Sequence, residues 1–219
     1  MKSIVILGKG TSVLNSTKEF IDQHDKVCIV NELIYSPKYI SYISNKADYQ
    51  FVNSSVNYYK KEIFDTLGIT KIFFHGRENQ KFKRSPDYYK GIEFEYLKPN
   101  LNTLFTTNFG FDPSGGVQAF YHFTETEPYD VVSLVGFDFY ELNSTPYYFD
   151  PSEGGEHLKW LLKNPYKGNK INVPSGHNTE KSIDFVQKQM LKKPNIKFNI
   201  ISNNSNLKKI TNSNINYIK

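Results

Sequence analysis

The chain has 219 residues, 38% of them hydrophobic and 16% aromatic, with 16 Tyr and 17 Phe against a single Trp. That length fits one domain able to bury roughly 70% of the surface its unfolded chain exposes, and so much ring surface excludes a disordered chain. A net charge of +5 favours anionic partners without choosing among nucleotides, nucleic acid and lipid, while the lone Cys28 excludes an internal disulfide and reads as a small core hydrophobe.

Taken in order, apolar β-branched runs occur at Ser3 to Leu7, Lys26 to Asn31, Tyr49 to Asn53, Lys71 to His75, Ile92 to Leu97, Asp130 to Phe139 and Lys197 to Ser202. Short continuous runs of this kind read as strands covered on both faces. The first run is too short for a signal-peptide core or a membrane span, so a cytoplasmic protein is expected. Helical stretches stand between the runs, at Val56 to Leu67, with Ile63, Phe64 and Leu67 on one side, and at Gly115 to Thr126. Such alternation predicts an α/β fold, doubly wound, with a mainly parallel, Rossmann-like sheet and right-handed crossovers. Tyr140 to Val173 breaks the rhythm with Pro146, Pro151, Gly154, Gly155, Pro165 and Gly168, and reads as a lid over the carboxyl edge of the sheet. Thr179 is expected to cap a helix carrying Ile183, Val186 and Met190 on one face and stopped by Pro194; the tail from Asn203 onward has no clear period.

Residues suited to chemistry gather at the ends of these strands. Gly8-Lys9-Gly10-Thr11-Ser12-Val13 follows the first one, where glycines let backbone N–H groups approach a phosphate or ribose. Val13 stands where a dinucleotide fingerprint wants its third glycine, and Ser3 where a P-loop wants its first, which argues against both. Asn31 and Asn53 end two further strands and offer donor and acceptor to a base or ribose, although each alone is an ordinary turn residue. Ser114-Gly115-Gly116 opens a helix as a second anion-facing turn. Beyond it come Gly136-Phe137-Asp138-Phe139-Tyr140 and Tyr147-Tyr148-Phe149-Asp150, whose phenols suit a departing phosphate. Last is Gly176-His177-Asn178-Thr179, with a histidine poised for proton transfer near neutral pH.

Together, in this order and spacing from Ile4 to about Ile201, these motifs resemble the bacterial lipooligosaccharide sialyltransferases. The resemblance implies a single nucleotide-sugar-binding domain over 1–219, with a lid segment inserted at about 140–175. It implies metal-independent, inverting transfer of sialic acid, or a related nonulosonic sugar, from a CMP-sugar donor to a glycan or glycolipid hydroxyl, with no cofactor. On it, Gly8, Lys9, Gly10, Thr11 and Ser12 hold the donor, with Asn31 and Asn53 on its sugar or base. Ser114, Gly115, Gly136, Phe137, Asp138 and Phe139 also match donor-site positions. Tyr140 and Tyr147 match the tyrosines on the leaving phosphate, with Tyr148 one residue away in register, and His177 matches the general base.

Several positions depart from that pattern. Lys9 replaces an expected Asn, Glu32 an expected Gln and Asp112 an expected Arg, and the segment after His177 is two residues shorter. These changes bear on the sugar and acceptor more than on the nucleotide. They leave two alternatives open: a catalytically altered nucleotide-binding protein of the same fold, or a transferase using another nucleotide-sugar. No Asp-x-Asp metal clamp occurs, and Asp150, Glu153, Glu156 and His157 read as a solvated lid face. No basic-aromatic stripe marks a nucleic-acid partner. His24, His75 and His122 read as structural or solvent-exposed. Peripheral contact with the inner membrane face, through Lys192-Lys193 or Lys208-Lys209, and homo-oligomer assembly stay open.

Overall fold

The computed structural model describes residues 1–52, 61–74, 91–97, 100–139, 147–150, 153 and 178–218. Eight strands form one sheet in the order β5-β4-β3-β2-β1-β6-β7-β8. They are β1 (Ser3–Leu7), β2 (Lys26–Val30), β3 (Tyr49–Val52), β4 (Lys71–Phe74), β5 (Glu93–Tyr96), β6 (Val131–Val135), β7 (Lys197–Ile201) and β8 (Ile215–Tyr217). Every adjacent pair is parallel. The doubly wound α/β expectation therefore holds, and it holds for a physical reason: the central strands β1 and β2 are apolar toward both faces. Ile4 and Ile6 of β1 enter one core with Cys28, Val30, Phe51 and Phe73; Val5 and Leu7 enter the other with Val27, Ile29, Val52 and Ile72.

The helices divide between these two faces. α1 (Lys18–Asp22), α2 (Ile40–Ile43) and α3 (Lys61–Leu67) contribute Ile21, Ile43, Phe64 and Leu67 to the second core. α4 (Leu101–Asn108), α5 (Gly115–Tyr121) and α6 (Thr179–Lys192) supply Phe105, Phe120, Val186 and Met190 to the first. Phe105 meets Phe185 edge to face at 4.8 Å, which joins α4 to α6 through ring packing.

Several boundaries differ from the sequence reading. The sixth strand ends at Val135 and not Phe139, because Gly136 turns the chain with φ +77°. The helix begun at Gly115 changes to π geometry over His122–Thr126. The cap of α6 is Asn178, whose Oδ1 accepts from Lys181 N–H at 2.9 Å, so Thr179 is the first helical residue. α4, capped by Asn100, and β8, inside the tail, carried no legible signal. Of Val56 to Leu67 the described part is Lys61–Leu67. Most of the expected lid lies outside the described residues, which keep only 147–150 and Glu153 of it.

His24 and His122 are structural core residues, not solvent-exposed ones. His24 is 5% exposed, donates from Nδ1 toward the Phe20 and Ile21 carbonyls and accepts at Nε2 from Ser133 Oγ at 2.7 Å. His122 lies among Phe51, Phe73 and Phe123. Cys28 is buried, and burial pushes its thiol well up. No helix of the described residues is long and apolar enough to cross a membrane.

Candidate functional site

In an open parallel sheet, ligands settle beyond the carboxyl ends of the strands where the strand order reverses. Here the order runs outward from β1 to β2 on one side and from β1 to β6 on the other, so that point lies between β1 and β6. Leu7 stands opposite both Ile29 and Val135. Two residues further on, Lys9, Asn31 and Phe137 therefore leave the sheet at one level. The sequence-predicted groups on β1, β2 and β6 thus converge on one edge.

The β1 and β6 turns interlock at this edge. Gly8 N–H donates to Val135 O at 2.7 Å and Gly10 N–H to Gly136 O at 2.9 Å. A Cβ on Gly8 would lie 2.6 Å from the Gly136 carbonyl oxygen, and one on Gly10 would lie 2.4 Å from Asp138 Oδ2. These glycines therefore permit strand-to-strand contact. The Asp138 carboxylate ties three chain segments together. It accepts from Ser12 N–H at 2.8 Å, Thr11 Oγ1 at 3.2 Å and Asn203 N–H at 2.8 Å, and Ser202 Oγ beyond β7 lies within 3.4 Å. Ser12 Oγ donates to the Ile201 carbonyl at 3.1 Å. Thr11, Ser12 and Asp138 are brought together, with their polar groups engaged in building the edge. Ser202 and Asn203 were missed, although Ser202 ends a predicted strand, Asn203 follows it, and the strand-end rule could have found them.

Asn31 carries two marks of an unusual position. Its φ is +57°, a left-handed conformation that asparagine adopts more readily than most residues, and its buried Oδ1 meets no hydrogen-bond partner among the described residues. Its own carbonyl accepts from Gln50 Nε2 at 3.0 Å, which fixes the backbone and leaves the side-chain acceptor for something else. Phe139, beyond the β6 turn, is also left-handed at φ +51° and packs edge to face on Phe137. A bulky residue held there is strained, and such strain collects at binding sites. Phe137 in turn lies against Gly116, where a Cβ would approach its ring to 3.0 Å. This contact brings the Ser114-Gly115-Gly116 start of α5 to the same edge, with Ser114 Oγ accepting from Val117 N–H at 3.4 Å.

The segment 147–150 forms a wall of the edge. Tyr148 N–H donates to the Lys9 carbonyl at 2.9 Å. The Tyr148 hydroxyl accepts from Ile34 N–H at 2.8 Å and donates to the Ile34 carbonyl at 3.2 Å, and its ring meets Tyr39 edge to face at 5.0 Å. Burial pushes the Tyr148 phenol far up. Tyr147 is half-buried, stacks on Phe149 at 5.4 Å and lies with its ring centroid 5.4 Å from the Lys9 ammonium. Tyr148 is thus an anchor and Tyr147 the ring presented beside Lys9. The half-buried Lys9 is crowded enough that burial lowers its pKa to about 8, with the nearby Glu32 carboxylate acting in the opposite direction.

Tyr140, His177 and Asn53 lie outside the described residues. Among the described residues no cluster of three His, Cys, Asp or Glu side chains could hold a metal ion. Glu153 accepts from the Tyr39 hydroxyl at 3.1 Å.

Comparison with known proteins gives a likeness of fold. No protein-family model matches the chain, and no curated protein matches its sequence. Among solved structures, it is similar to the sialyltransferase CstII from Campylobacter jejuni in complex with the substrate analogue cytidine-5'-monophosphate. The TM-score is 0.65 at 20% identity, over 100% of this chain and 86% of that one. A tyrosine-to-phenylalanine variant of that sialyltransferase with CMP gives 0.64 at 19% identity, over 100% and 94%. A complex with a trisaccharide acceptor and CMP gives 0.58 at 17% identity, over 96% and 89%. The chain therefore shares the sialyltransferase-like fold along its length.

Proposed function

We propose that this chain is an inverting glycosyltransferase that moves sialic acid, or a related nonulosonic sugar, from a CMP-sugar to a glycan hydroxyl. One observation carries the reading: Lys9, beside Tyr147, leaves the sheet level with Asn31, whose buried Oδ1 has no partner among the described residues, at the switch point of a fold shared with CMP-bound sialyltransferases.

On this reading Asn31 Oδ1 accepts from a hydroxyl or amino group of the nucleoside, which satisfies an atom otherwise costly to bury. The acceptor hydroxyl attacks the anomeric carbon as His177 takes its proton. The bond from that carbon to the phosphate oxygen breaks and its electron pair leaves with CMP. Charge grows on the phosphate as this happens, and the Tyr147 and Tyr140 phenols donate to it, stabilising the departing group without a metal. The segment around Tyr140 and His177 acts as the lid, and the acceptor is a glycan or glycolipid.

The test is release of CMP from CMP-sialic acid, with and without lactose and in EDTA, comparing the wild type with His177→Ala. Release that survives EDTA and falls by about 100-fold or more in the variant is expected. Undiminished release in His177→Ala, or an absolute need for a divalent ion, removes this mechanism. CMP binding without release from any CMP-sugar leaves a nucleotide-binding protein of the same fold.

A further inference from the structure

The turn after β1 has the sequence of an anion cradle, yet four of the six N–H groups from Gly8 to Val13 are engaged within the fold. The N–H groups of Gly8, Gly10, Ser12 and Val13 donate to Val135 O, Gly136 O, the Asp138 carboxylate and Gly10 O. A phosphate at this edge cannot draw on those amides unless the β1 and β6 turns come apart. With those amides engaged, the turn's strongest offer to a phosphate is a charged side chain, and from Gly8 to Asn15 the only cationic one is Lys9.

Lys9 is well placed for that task. It stands at the switch point, level with Asn31 and Phe137, and its carbonyl accepts from Tyr148 N–H at 2.9 Å. That bond ties the backbone of Lys9 to the segment presenting Tyr147, whose ring centroid lies 5.4 Å from the ammonium. Glu32, 6% exposed in the loop after β2, helps keep the ammonium charged despite its burial. The other ionisable groups toward this turn are Asp138, occupied by Ser12, Thr11 and Asn203, and the phenols of Tyr35, Tyr147 and Tyr148.

We propose that the Lys9 ammonium binds the phosphate of the nucleoside monophosphate sugar, doing with one side chain what spare backbone amides do in other glycine-rich turns. This rests on the donor reading above and sharpens it: the turn selects a ligand by its phosphate, through a group that can lose its charge. Because burial lowers the Lys9 pKa to about 8, the empty site holds a mostly charged lysine at pH 7 and a mostly neutral one above pH 9. The phosphate of a CMP-sugar, a diester, is a monoanion across that range, and that of CMP, a monoester, is mostly a dianion. Weaker phosphate recognition at high pH is therefore assigned to the lysine.

The experiment compares calorimetric affinities of the full chain for CMP and for cytidine, because their ratio isolates the phosphate. At pH 7 the wild type is expected to prefer CMP. The ratio is expected to fall about tenfold to 100-fold in Lys9→Met, with cytidine affinity held, and to stay near wild type in Lys9→Arg. Between pH 7 and 9.5 the wild-type ratio declines while that of Lys9→Arg stays level. If Lys9→Met does not fold, as judged by its circular dichroism and melting, the pH series on the wild type and Lys9→Arg decides. An unchanged ratio in folded Lys9→Met, or a wild-type ratio flat over that pH range, overturns the inference and leaves the donor reading standing. A wild type that binds cytidine and CMP equally also overturns it. Failure to bind CMP at all removes the donor reading, and the inference with it.

Discussion

Asp138 shows how much of this edge depends on a single side chain. Both carboxylate oxygens accept N–H donors, from Ser12 and Asn203, and in Asp138→Asn one of those donors would face an amide NH₂. We expect that substitution to cost about 1.5–3 kcal/mol in urea unfolding, a large loss for an isosteric change. Gly8→Ala should cost about 1–3 kcal/mol for a different reason, since its methyl would meet the Gly136 carbonyl at 2.6 Å. Histidine sets the pH dependence. Burial is the leading cause that holds His24 and His122 below the ordinary 6.5, so near that pH the unfolded chain binds more protons than the folded one. Stability is then fully present above pH 6.5 and declines as pH falls through the lower folded values. The urea midpoint should drop between pH 7.5 and 5.5, and His24→Gln should flatten that slope.

At the scale of elements, the contrast between Tyr147 and Tyr148 is the sharpest. Tyr148→Phe leaves the Ile34 N–H and carbonyl without their bridge and should destabilise the chain by about 1–3 kcal/mol. Tyr147→Phe should cost less in stability but lower the rate of CMP release, so denaturation and turnover measured on both variants separate anchor from donor. Sequence could not tell these neighbours apart, because the difference arises only when the segment docks on the loop after β2. The strands were legible for the opposite reason: an unbroken apolar run is dictated by burial on both faces, whichever neighbour covers it. The ends were not. β6 stops four residues early because one glycine turns left-handed, and β8 is three residues at an edge, too few and too exposed to carry a pattern. Asn31 and the Gly8 turn were placed at this edge from their position after strands. That the turn glycines serve β6 was invisible without the contact itself.

Across the whole molecule, the two apolar clusters share the central strands and differ at the margins. Ile6, fully buried in β1, should cost about 2–5 kcal/mol when replaced by Ala, while Ile215 on edge strand β8, only partly buried, should cost clearly less. Equilibrium unfolding of the two variants checks that gradient. The same centrality carries a consequence for the order in which the chain assembles. β1 is paired on one side by β6, and Ser3 waits for Val131. As the chain emerges from the ribosome, Ile4–Leu7 has only β2 beside it until more than a hundred further residues have been made. Contacts so distant along the chain make for slow closure, and an unpaired apolar strand edge invites association with other chains. A product truncated after Thr126 should therefore aggregate during synthesis, whereas one that includes β6 and β7 should not, a difference that pelleting of stalled translation products would reveal.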